Sequence, residues 1–348
     1  MPYLFFFLFP LLLFAEVEMI TRTQVLMGTY VSIALEAEQN AQITHAFEHI
    51  KQIEASLSNY DSDASLSKLN ATHRIDHDPL LAEALSLSVV YYNQTNGYFD
   101  VTIGSISKEL YHFGEDKTFS PSKEALKAAH LDIHGIHINP QSISTEANIS
   151  IDLGGMGKGY GADKVAAYLK EQNISKGIIA LSGDVRCLHR CEIDLQSPYS
   201  EQTFATIQSK HPNLSVSTSG TYRRFATTKA EHHLINPKTA RQGCEFVSVS
   251  LFTTANNSQI DAYATAISVM PRDKALSFLK DMQGIAYVLV DKKGKILYGN
   301  TKDLIEIRWL DYKENASKES KSVRAETNET IAKSFIHPDT SHPKEIIK

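Results

Sequence analysis

The sequence predicts an α+β fold, a single large domain in which mixed or antiparallel sheets are flanked by helices. Many short strand-like runs are interspersed with about five helical runs, and the two kinds do not alternate as they do in parallel α/β folds. The hydrophobic fraction of 42% and the charged fraction of 22% are ordinary for a globular protein of 348 residues. The net charge of -5, without a basic run, argues against nucleic acid as the main partner.

The N-terminus is an almost unbroken apolar run, YLFFFLFPLLLF over residues 3–14. Its length matches the apolar core of a secretory signal and is too short for an ordinary membrane span. We therefore predict that residues 1–15 are an export signal or a signal anchor. The protein is accordingly expected in the periplasm, and an uncleaved segment would attach it to the inner membrane.

The first strand and helix signals follow this run. An alternating apolar pattern predicts a half-buried strand over residues 30–36, and apolar residues at helical spacing predict a helix over residues 47–57. The next helix has Asp78 as its N-cap and Pro79 at its first position. The Asn-Gly pair at residues 96–97 predicts where that helix ends.

Strand signals dominate the second half of the chain. Strands are predicted over residues 177–181, 191–195, 204–207, 214–218, 224–228 and 247–252, and a hairpin joins 286–290 to 295–298. Helices are predicted over 120–130, 160–170 and 260–269, with a last helix after Pro271. Near residue 313 the composition shifts to Lys, Glu, Ser, Thr and Asn, which bury too little apolar surface to fold. We therefore divide the chain into a folded domain, residues 20–312, and a disordered polar tail, residues 313–348.

The three cysteines, Cys187, Cys191 and Cys244, are too few for a disulfide framework in a chain of this size. A zinc site would need more ligands at better spacing. Cys187 and Cys191 could pair in an oxidising compartment, and all three cysteines are assigned structural roles.

The stretch SIDLGGMGKGYGADKV, residues 150–165, places five glycines in eight residues between a strand-like run and a helix. Glycines at this density allow backbone N–H groups to wrap an anion at a helix N-terminus. Their order matches neither a Walker loop nor a dinucleotide fingerprint. The stretch therefore predicts a diphosphate site of another design, and a plain glycine-rich turn with Lys158 on the surface is the alternative.

Asp261 and Thr265 lie four residues apart in the run IDAYATAISVM, so both oxygens project from one face of the predicted helix. A carboxylate and a hydroxyl suit Mg²⁺, which takes few protein ligands and completes its shell with water and phosphate. A self-satisfied polar pair in an alanine-rich packing helix is the alternative interpretation.

The pair His232-His233 ends a strand-like run beside a turn. One member could act as a general base or donate a hydrogen bond to phosphate, although a lone histidine is more often a bystander. Two turns of small residues, at 182–184 and 217–222, lack the spelling of a hydrolase nucleophile. Each is interpreted as a tight turn under a ligand.

Aromatic residues supply a further candidate binding surface. Tyr60 and the run Tyr98-Phe99-Asp100 offer flat faces for a ring system and a carboxylate for its polar groups. Taken singly, these aromatic residues would be assigned to the core.

Taken together and in this order, these pieces resemble the ApbE family, the FAD:protein FMN transferases. The resemblance is carried by eight motifs: MGT from Met27, SLSNYDSDASLSKLN, GYFDVTIG, DLGGMGKGYGAD, LSGDV, TSGTY, HHLINPKT and DAYATAISVM. They extend over nearly all of the chain between the apolar run and the polar tail. The chain departs from the family pattern at Ser182, Asn236 and Ala240, where the family often has Gly, Asp and Gly.

The resemblance implies an FAD site and a Mg²⁺ site. FAD would be contacted by Met27, Tyr60, Tyr98, Phe99, Asp100, Asp152, Lys158 and Ile235. Mg²⁺ would be held by the side chains of Asp261 and Thr265 and by the main-chain oxygen of Gly155. In the mechanism that follows, His233 is the candidate general base and Lys158 the candidate catalytic point charge.

These residues favour a Mg²⁺-dependent enzyme that transfers the FMN part of FAD to a threonine or serine hydroxyl of a flavoprotein and releases AMP. The expected acceptors are flavoprotein subunits of membrane or exported electron-transfer systems. Two other functions stay open: a Mg²⁺-dependent FAD diphosphatase, with water as acceptor, and a periplasmic FAD-binding protein without turnover. The sequence does not separate the two enzymes, because a surface that docks an acceptor has no readable motif.

Overall fold

An eight-stranded sheet organises the structure, a computed structural model that describes residues 18–222 and 224–310. In spatial order its strands are β1 (Met19–Leu26), β2 (Thr29–Glu36), β6 (Ile178–Leu181), β7 (Asp184–Cys187), β10 (Ser215–Gly220), β13 (Phe246–Thr253), β14 (Ala286–Asp291) and β15 (Ile296–Gly299). Every neighbouring pair in this sheet is antiparallel. The predicted α+β class with antiparallel sheets is therefore confirmed.

The remaining strands form three smaller sheets. They are β3 (Arg74–Asp76), β5 (Ser142–Thr145) and β4 (Ile136–Ile138); β8 (Glu192–Gln196), β9 (Thr203–Ser209) and β16 (Ile305–Trp309); and the pair β11 (Ile235–Asn236) and β12 (Arg241–Gln242). The helices are α1 (Asn40–Leu57), α2 (Ser65–Thr72), α3 (Pro79–Gln94), α4 (Gly104–Ser107), α5 (Lys123–Ala128), α6 (Gly157–Glu171), α7 (Asn257–Val269) and α8 (Arg272–Asp281).

The two predicted terminal segments, the export segment at residues 1–15 and the polar tail at residues 313–348, lie outside the described residues. Within residues 18–222 and 224–310, no helix combines the length and the apolar character needed to cross a bilayer.

Strand β13 shows that the large sheet is covered on both faces. Successive side chains of a strand point to opposite faces. Val249 and Leu251 pack among helical residues, whereas Phe252 packs among residues of the sheet formed by β8, β9 and β16. Because both faces are buried, β13 is nearly continuous in burial along its length. Helices α1, α6 and α7 therefore cover one face, and the small sheet covers the other.

Helix α3 begins and ends where its caps predict. The Asp78 side chain accepts hydrogen bonds from the backbone N–H groups of Leu80 and Leu81, and Pro79 occupies the first turn. Gly97 follows the helix with a φ of 72°, the left-handed conformation that favours glycine. The sequence-based start and stop of this helix are both confirmed.

The strand predicted over residues 224–228 is wrong. Among the described residues, this segment forms a single isolated bridge, between Phe225 and His232, and no continuous strand. The side-chain hydroxyls of Thr227 and Thr228 donate instead to the carboxylate of Glu231, which closes a local turn. Such side-chain bonds compete with a strand ladder.

Cys187 at the end of β7 and Cys191 just before β8 form a disulfide, a pairing that the sequence left open. Both cysteines are buried, and the bridge links the large sheet to the small sheet packed beneath it. Cys244 is exposed and does not contribute to the core.

Candidate active site

The glycine-rich loop between residues 151 and 157 is held in shape by the carboxylate of Asp152. One oxygen of Asp152 accepts the backbone N–H of Gly154 at 2.9 Å, and the other accepts the Ser107 hydroxyl at 2.7 Å. Burial opposes ionisation of this carboxyl, but the Lys108 charge and these hydrogen bonds keep its pKa below the usual value. Asp152 is therefore ionised at neutral pH and fixes the loop that precedes α6.

Helix α6 follows the loop and packs directly against α7 through Gly159. A Cβ at this position would lie 2.6 Å from the carbonyl oxygen of Asn257 and 2.8 Å from the Cα of Ser258. The contact lets the backbone N–H of Gly159 donate to Asp261 Oδ2 at 3.1 Å. A glycine is thus required here because two helix backbones approach closely.

Replacing Gly159 by Ala is expected to lower the free energy of unfolding by about 1–3 kcal/mol, because the added methyl group forces α6 and α7 apart. Urea or thermal unfolding followed by circular dichroism measures the loss. Gly157→Ala is the matched control on the same helix, since its Cβ would meet nothing closer than 3.8 Å. Equal stability of the Gly159 variant and the wild type would contradict the close packing of the two helices.

Lys158 lies between two buried carboxylates, those of Asp184 and Asp261. Its Nζ is 2.9 Å from Asp184 Oδ2 and 3.2 Å from Asp261 Oδ2. Burial alone would lower the pKa of Lys158, but the two carboxylates outweigh burial and raise it. The lysine is therefore a fixed positive charge at the start of α6, which excludes the alternative of a surface lysine on a plain glycine-rich turn.

The predicted metal ligands converge beside this lysine. Asp261 and Thr265 lie one turn apart on the same face of α7. The Thr265 hydroxyl donates a hydrogen bond from Oγ1 to the main-chain oxygen of Gly155 at 3.3 Å. A carboxylate, a hydroxyl and a carbonyl oxygen form the hard-oxygen set that Mg²⁺ prefers. The donor set brought together by α7 and the glycine loop fits Mg²⁺.

The two adjacent histidines have different environments. His232 is buried, and its Nε2 lies 2.9 Å from the carbonyl oxygen of Gly243. His233 donates from Nδ1 to the carbonyl oxygen of Arg224 at 3.1 Å, which leaves the lone pair on Nε2. Burial lowers the pKa of His233 to about 4, and the charges of Arg224 and Lys158 act in the same direction. His233 is thus neutral at physiological pH and near enough to Lys158 to experience its charge.

Four of the predicted flavin contacts fall into two groups, the first of which, Met27 and Phe99, lies beside the glycine-rich segment. Met27 lies at the β1–β2 turn with its sulfur beside Gly161, where a Cβ would come within 3.4 Å of it. Phe99 is buried, and its ring lies 3.3 Å from where a Cβ of Gly155 would be. Phe99 therefore borders the glycine loop, and Met27 borders the first turns of α6, the helix that carries Lys158.

The second group consists of Tyr60 and Tyr98, each of which has a lysine ammonium group near its ring. Tyr60 is 52% exposed, and Lys108 Nζ is 3.9 Å from its ring centroid. Tyr98 lies beneath the ammonium group of Lys238, 5.0 Å from its ring centroid. The Tyr60 ring is therefore accessible to a ligand, whereas Tyr98 is half-buried.

The side chains of two other predicted contacts, Asp100 and Ile235, are engaged with other groups of the protein. The Asp100 carboxylate is buried and accepts hydrogen bonds from the backbone N–H and the hydroxyl of Thr102, at 2.8 and 2.7 Å. Ile235 is buried in a small apolar cluster with Ile106, Tyr111 and Phe113. The Ile235 side chain is therefore packed against protein, and a direct contact with flavin would have to come from its backbone.

Sequence reasoning did not assign Asp184 to the site. The turn at residues 182–184 was interpreted only as a tight turn under a ligand, and nothing in its spelling identifies the third residue as a partner of Lys158. The available signal was a carboxylate three residues after the end of the apolar strand β6. Its partner lies 26 positions earlier in the chain, so only the fold brings the two together.

The departures from the family pattern fall at unusual backbone positions. Ser182 and Ala240 have φ values of 57° and 54°, the left-handed conformation in which glycine is favoured. Asn236 accepts the backbone N–H of Lys238 and donates to the carbonyl oxygen of Val269, both at 2.9 Å. The turn after β11 therefore keeps its shape with Asn and Ala at these positions.

A family model described as the ApbE family matches residues 27–289 of this chain. The chain belongs to the ApbE family. The match begins at Met27 and includes the glycine loop, both histidines and α7. Every residue that forms the arrangement around Lys158 thus lies inside the ApbE-matched region.

Curated ApbE relatives carry the name FAD:protein FMN transferase. The protein of that name from Treponema pallidum is 26% identical over 316 residues, covering 80% of this chain and 87% of its own length. The one from Klebsiella pneumoniae is 25% identical over 294 residues, covering 80% of this chain and 92% of its own length.

Solved ApbE structures have the same fold. The flavin transferase ApbE from Vibrio cholerae superimposes with a TM-score of 0.68 at 21% identity, covering 84% of this chain and 97% of that one. The ApbE protein of Thermotoga maritima gives a TM-score of 0.72 at 22% identity, covering 81% and 97%. At these identities the likeness shows that this chain has the ApbE fold.

Proposed function

We propose that this chain is an FAD:protein FMN transferase that requires Mg²⁺ and attaches FMN through phosphate to a threonine or serine of an acceptor flavoprotein. The observation that carries the proposal is the convergence of the Lys158 ammonium, the Asp261 carboxylate and the Thr265–Gly155 oxygen pair at the end of the glycine loop. One fixed cation and three hard-oxygen donors suit a diphosphate with its Mg²⁺. The names of the relatives support FAD as the diphosphate.

Each residue of the site has a separate task in this reaction. Asp261, Thr265 and the main-chain oxygen of Gly155 would hold Mg²⁺, which when bound neutralises charge on the diphosphate. Lys158 supplies a point charge to the same phosphate oxygens. Met27, Tyr60, Tyr98 and Phe99 would contact the rings of FAD.

The transfer balances as a substitution at phosphorus. The acceptor hydroxyl oxygen forms a bond to the FMN-side phosphorus, and the bond from that phosphorus to the bridging oxygen breaks. The bridging oxygen leaves with AMP. His233 accepts the hydroxyl proton at Nε2, which is the nitrogen left with a lone pair by the hydrogen bond of Nδ1 to Arg224. The product is a phosphoester-linked flavoprotein.

The compartment and the acceptors belong to the same proposal. We propose that the enzyme acts in the periplasm. Its N-terminal segment would be an export signal or an inner-membrane anchor. The apolar run at residues 3–14 and the Cys187–Cys191 disulfide support this placement, because disulfides persist in oxidising compartments. The acceptors would then be flavoprotein subunits of membrane or exported electron-transfer systems.

The test is to incubate the purified protein with FAD and Mg²⁺, with and without an acceptor protein, and to follow AMP release and acceptor mass. A gain of one FMN on the acceptor, matched by AMP, is the expected result. AMP and free FMN without an adduct would show a diphosphatase instead. Intact bound FAD under all conditions would show a binding protein.

The rate of transfer is expected to have an unusual dependence on pH. The pKa of His233 is lowered to about 4 from an ordinary 6.5, so the base stays neutral well below pH 6.5. The acid limb of kcat/KM should therefore have its midpoint near 4, with no decline as the pH passes through 6.5.

The same shift affects stability, and the two effects are separable. The folded state favours neutral His233, so its contribution to stability is complete above pH 6.5 and is lost as the pH falls toward 4. Rates are therefore measured alongside the folded fraction by circular dichroism. A kinetic midpoint at 6.5 in fully folded protein would exclude His233 as a base with this lowered pKa.

A further inference from the structure

We propose that Asp184 is a positioning residue that holds the Lys158 ammonium. A divalent ion can then replace Lys158 as the partner of the Asp261 carboxylate. The inference rests on the proposed function, because it concerns the metal site of that reaction. It assigns a task to a buried carboxylate that neither holds Mg²⁺ nor contacts FAD in the mechanism above. Its observations are the contacts of Asp184, the position of Lys158 and the charges buried with them.

The Asp184 carboxylate is fixed from the neighbouring strand. Asp184 begins β7 and is directly opposite Ser217 in the β7–β10 pair. Ser217 Oγ donates to Asp184 Oδ1 at 2.6 Å, and the residue is 1% exposed. Because the register of the sheet fixes the positions of both residues, the Asp184 carboxylate has little freedom to turn away from Lys158.

The second carboxylate oxygen of Asp184, Oδ2, pairs with Lys158. Within residues 18–222 and 224–310, Asp184 Oδ2 is buried and makes no ordinary hydrogen bond, and its close contact is Lys158 Nζ at 2.9 Å. A buried carboxylate oxygen with such surroundings is costly unless a charge compensates it. The ammonium is that charge, so the pairing of Asp184 with Lys158 is built into the fold.

The Lys158 ammonium lies closer to Asp184 than to Asp261. Its Nζ is 2.9 Å from Asp184 but 3.2 and 3.4 Å from the two oxygens of Asp261. A divalent ion that binds Asp261 must displace this ammonium. Removing a partner from a buried charge normally costs several kcal/mol. Asp184 avoids that cost, because Lys158 keeps the closer of its two partners when Asp261 is taken.

The charges lead to opposite expectations for two substitutions. With both carboxyls ionised, as in the experiment at pH 8 below, Asp184, Asp261 and Lys158 together carry a net charge of minus one. Asp184→Asn removes a negative charge and leaves Lys158 paired with Asp261 alone, so divalent-ion binding should weaken by about tenfold or more. Lys158→Met removes the competitor and should tighten binding by a similar factor.

The experiment is a titration of the FAD-free full-length protein with Mn²⁺ at pH 8, in which electron paramagnetic resonance counts the free ion. The control is Asp291→Asn, since Asp291 is also a buried carboxylate in an ion pair, with Arg272 at 2.9 Å, but lies at the end of β14. Its Mn²⁺ affinity should equal that of the wild type. Circular dichroism confirms that each variant is folded.

A second substitution keeps the test decisive if Asp184→Asn does not fold. Ser217→Ala retains the charge but frees the carboxylate, so Mn²⁺ binding should weaken by a smaller factor, about two- to fivefold. In turnover assays both variants should raise the Mn²⁺ concentration for half-maximal rate more than they lower kcat.

Three outcomes would overturn the inference. Unchanged Mn²⁺ affinity in folded Asp184→Asn and in Ser217→Ala would show that Asp184 only fills space. Weaker binding in Lys158→Met would show that the lysine does not compete with the ion. Absence of Mn²⁺ binding by the wild-type protein would overturn the metal site of the proposed function itself, and this result is distinguishable because it precedes any substitution.

Discussion

Replacing Asp261 by Asn is expected to reduce Mg²⁺-dependent AMP release by about a thousandfold while FAD still binds. The side chain keeps its shape, but it loses the charge that makes it the strongest of the three proposed metal donors. Without the ion, charge on the diphosphate is neutralised by Lys158 alone, and removing one such electrostatic contribution typically costs about a hundred- to a thousandfold in rate. Turnover assays with FAD and Mg²⁺, together with quenching of flavin fluorescence, separate rate from binding.

A control for Asp261→Asn lies on the same helix. Ser268 is buried on α7, but its hydroxyl donates to the carbonyl oxygen of Ala264 and takes no part in the site. Ser268→Ala should therefore retain the wild-type rate. If Asp261→Asn also retained it, the assignment of this carboxylate to the metal would be wrong, whereas loss of FAD binding would show that its main task is to hold the substrate.

Replacing His233 by Ala is expected to lower the rate of transfer by about a hundred- to ten-thousandfold, the range for loss of a general base. The side chain makes one hydrogen bond to the backbone of Arg224 and is more exposed than that of His232, so its removal should alter stability less than the removal of His232. Single-turnover measurements at saturating FAD and acceptor report the chemical step.

The neighbouring histidine supplies the contrast. His232 is buried and hydrogen-bonded to the carbonyl oxygen of Gly243, so His232→Ala should lower the melting temperature. The pair should therefore separate cleanly, with a loss of rate for His233 and a loss of stability for His232. The reverse pattern would transfer the role of base from His233 to His232.

The parts of the site that could be predicted from the sequence depend on local spacing. The glycines mark a strand-to-helix loop because their conformational freedom is a property of single residues. Asp261 and Thr265 could be placed on one face because the period of a helix is fixed. The N-cap of α3 is local in the same sense, since the capping oxygen of Asp78 accepts from backbone N–H groups within three positions of it.

The parts that could not be predicted depend on partners distant in sequence. Asp184 faces Lys158 only because β7 lies beside β10 and α6 crosses the same face of the sheet. Ile235 lies in an apolar cluster assembled from three other segments. The segment at residues 224–228 has a strand-like composition but bonds locally through Thr227, Thr228 and Glu231.

The contact at Gly159 has a consequence for the entropy of binding. Because α6 and α7 meet backbone to backbone, the backbone positions that carry Lys158 and Asp261 cannot separate without breaking that contact. The loss of conformational freedom in bringing these charges together is incurred once, when the chain folds. Substrate and ion therefore meet a preorganised set of groups, and their affinity reflects the contacts formed more than any ordering of the protein.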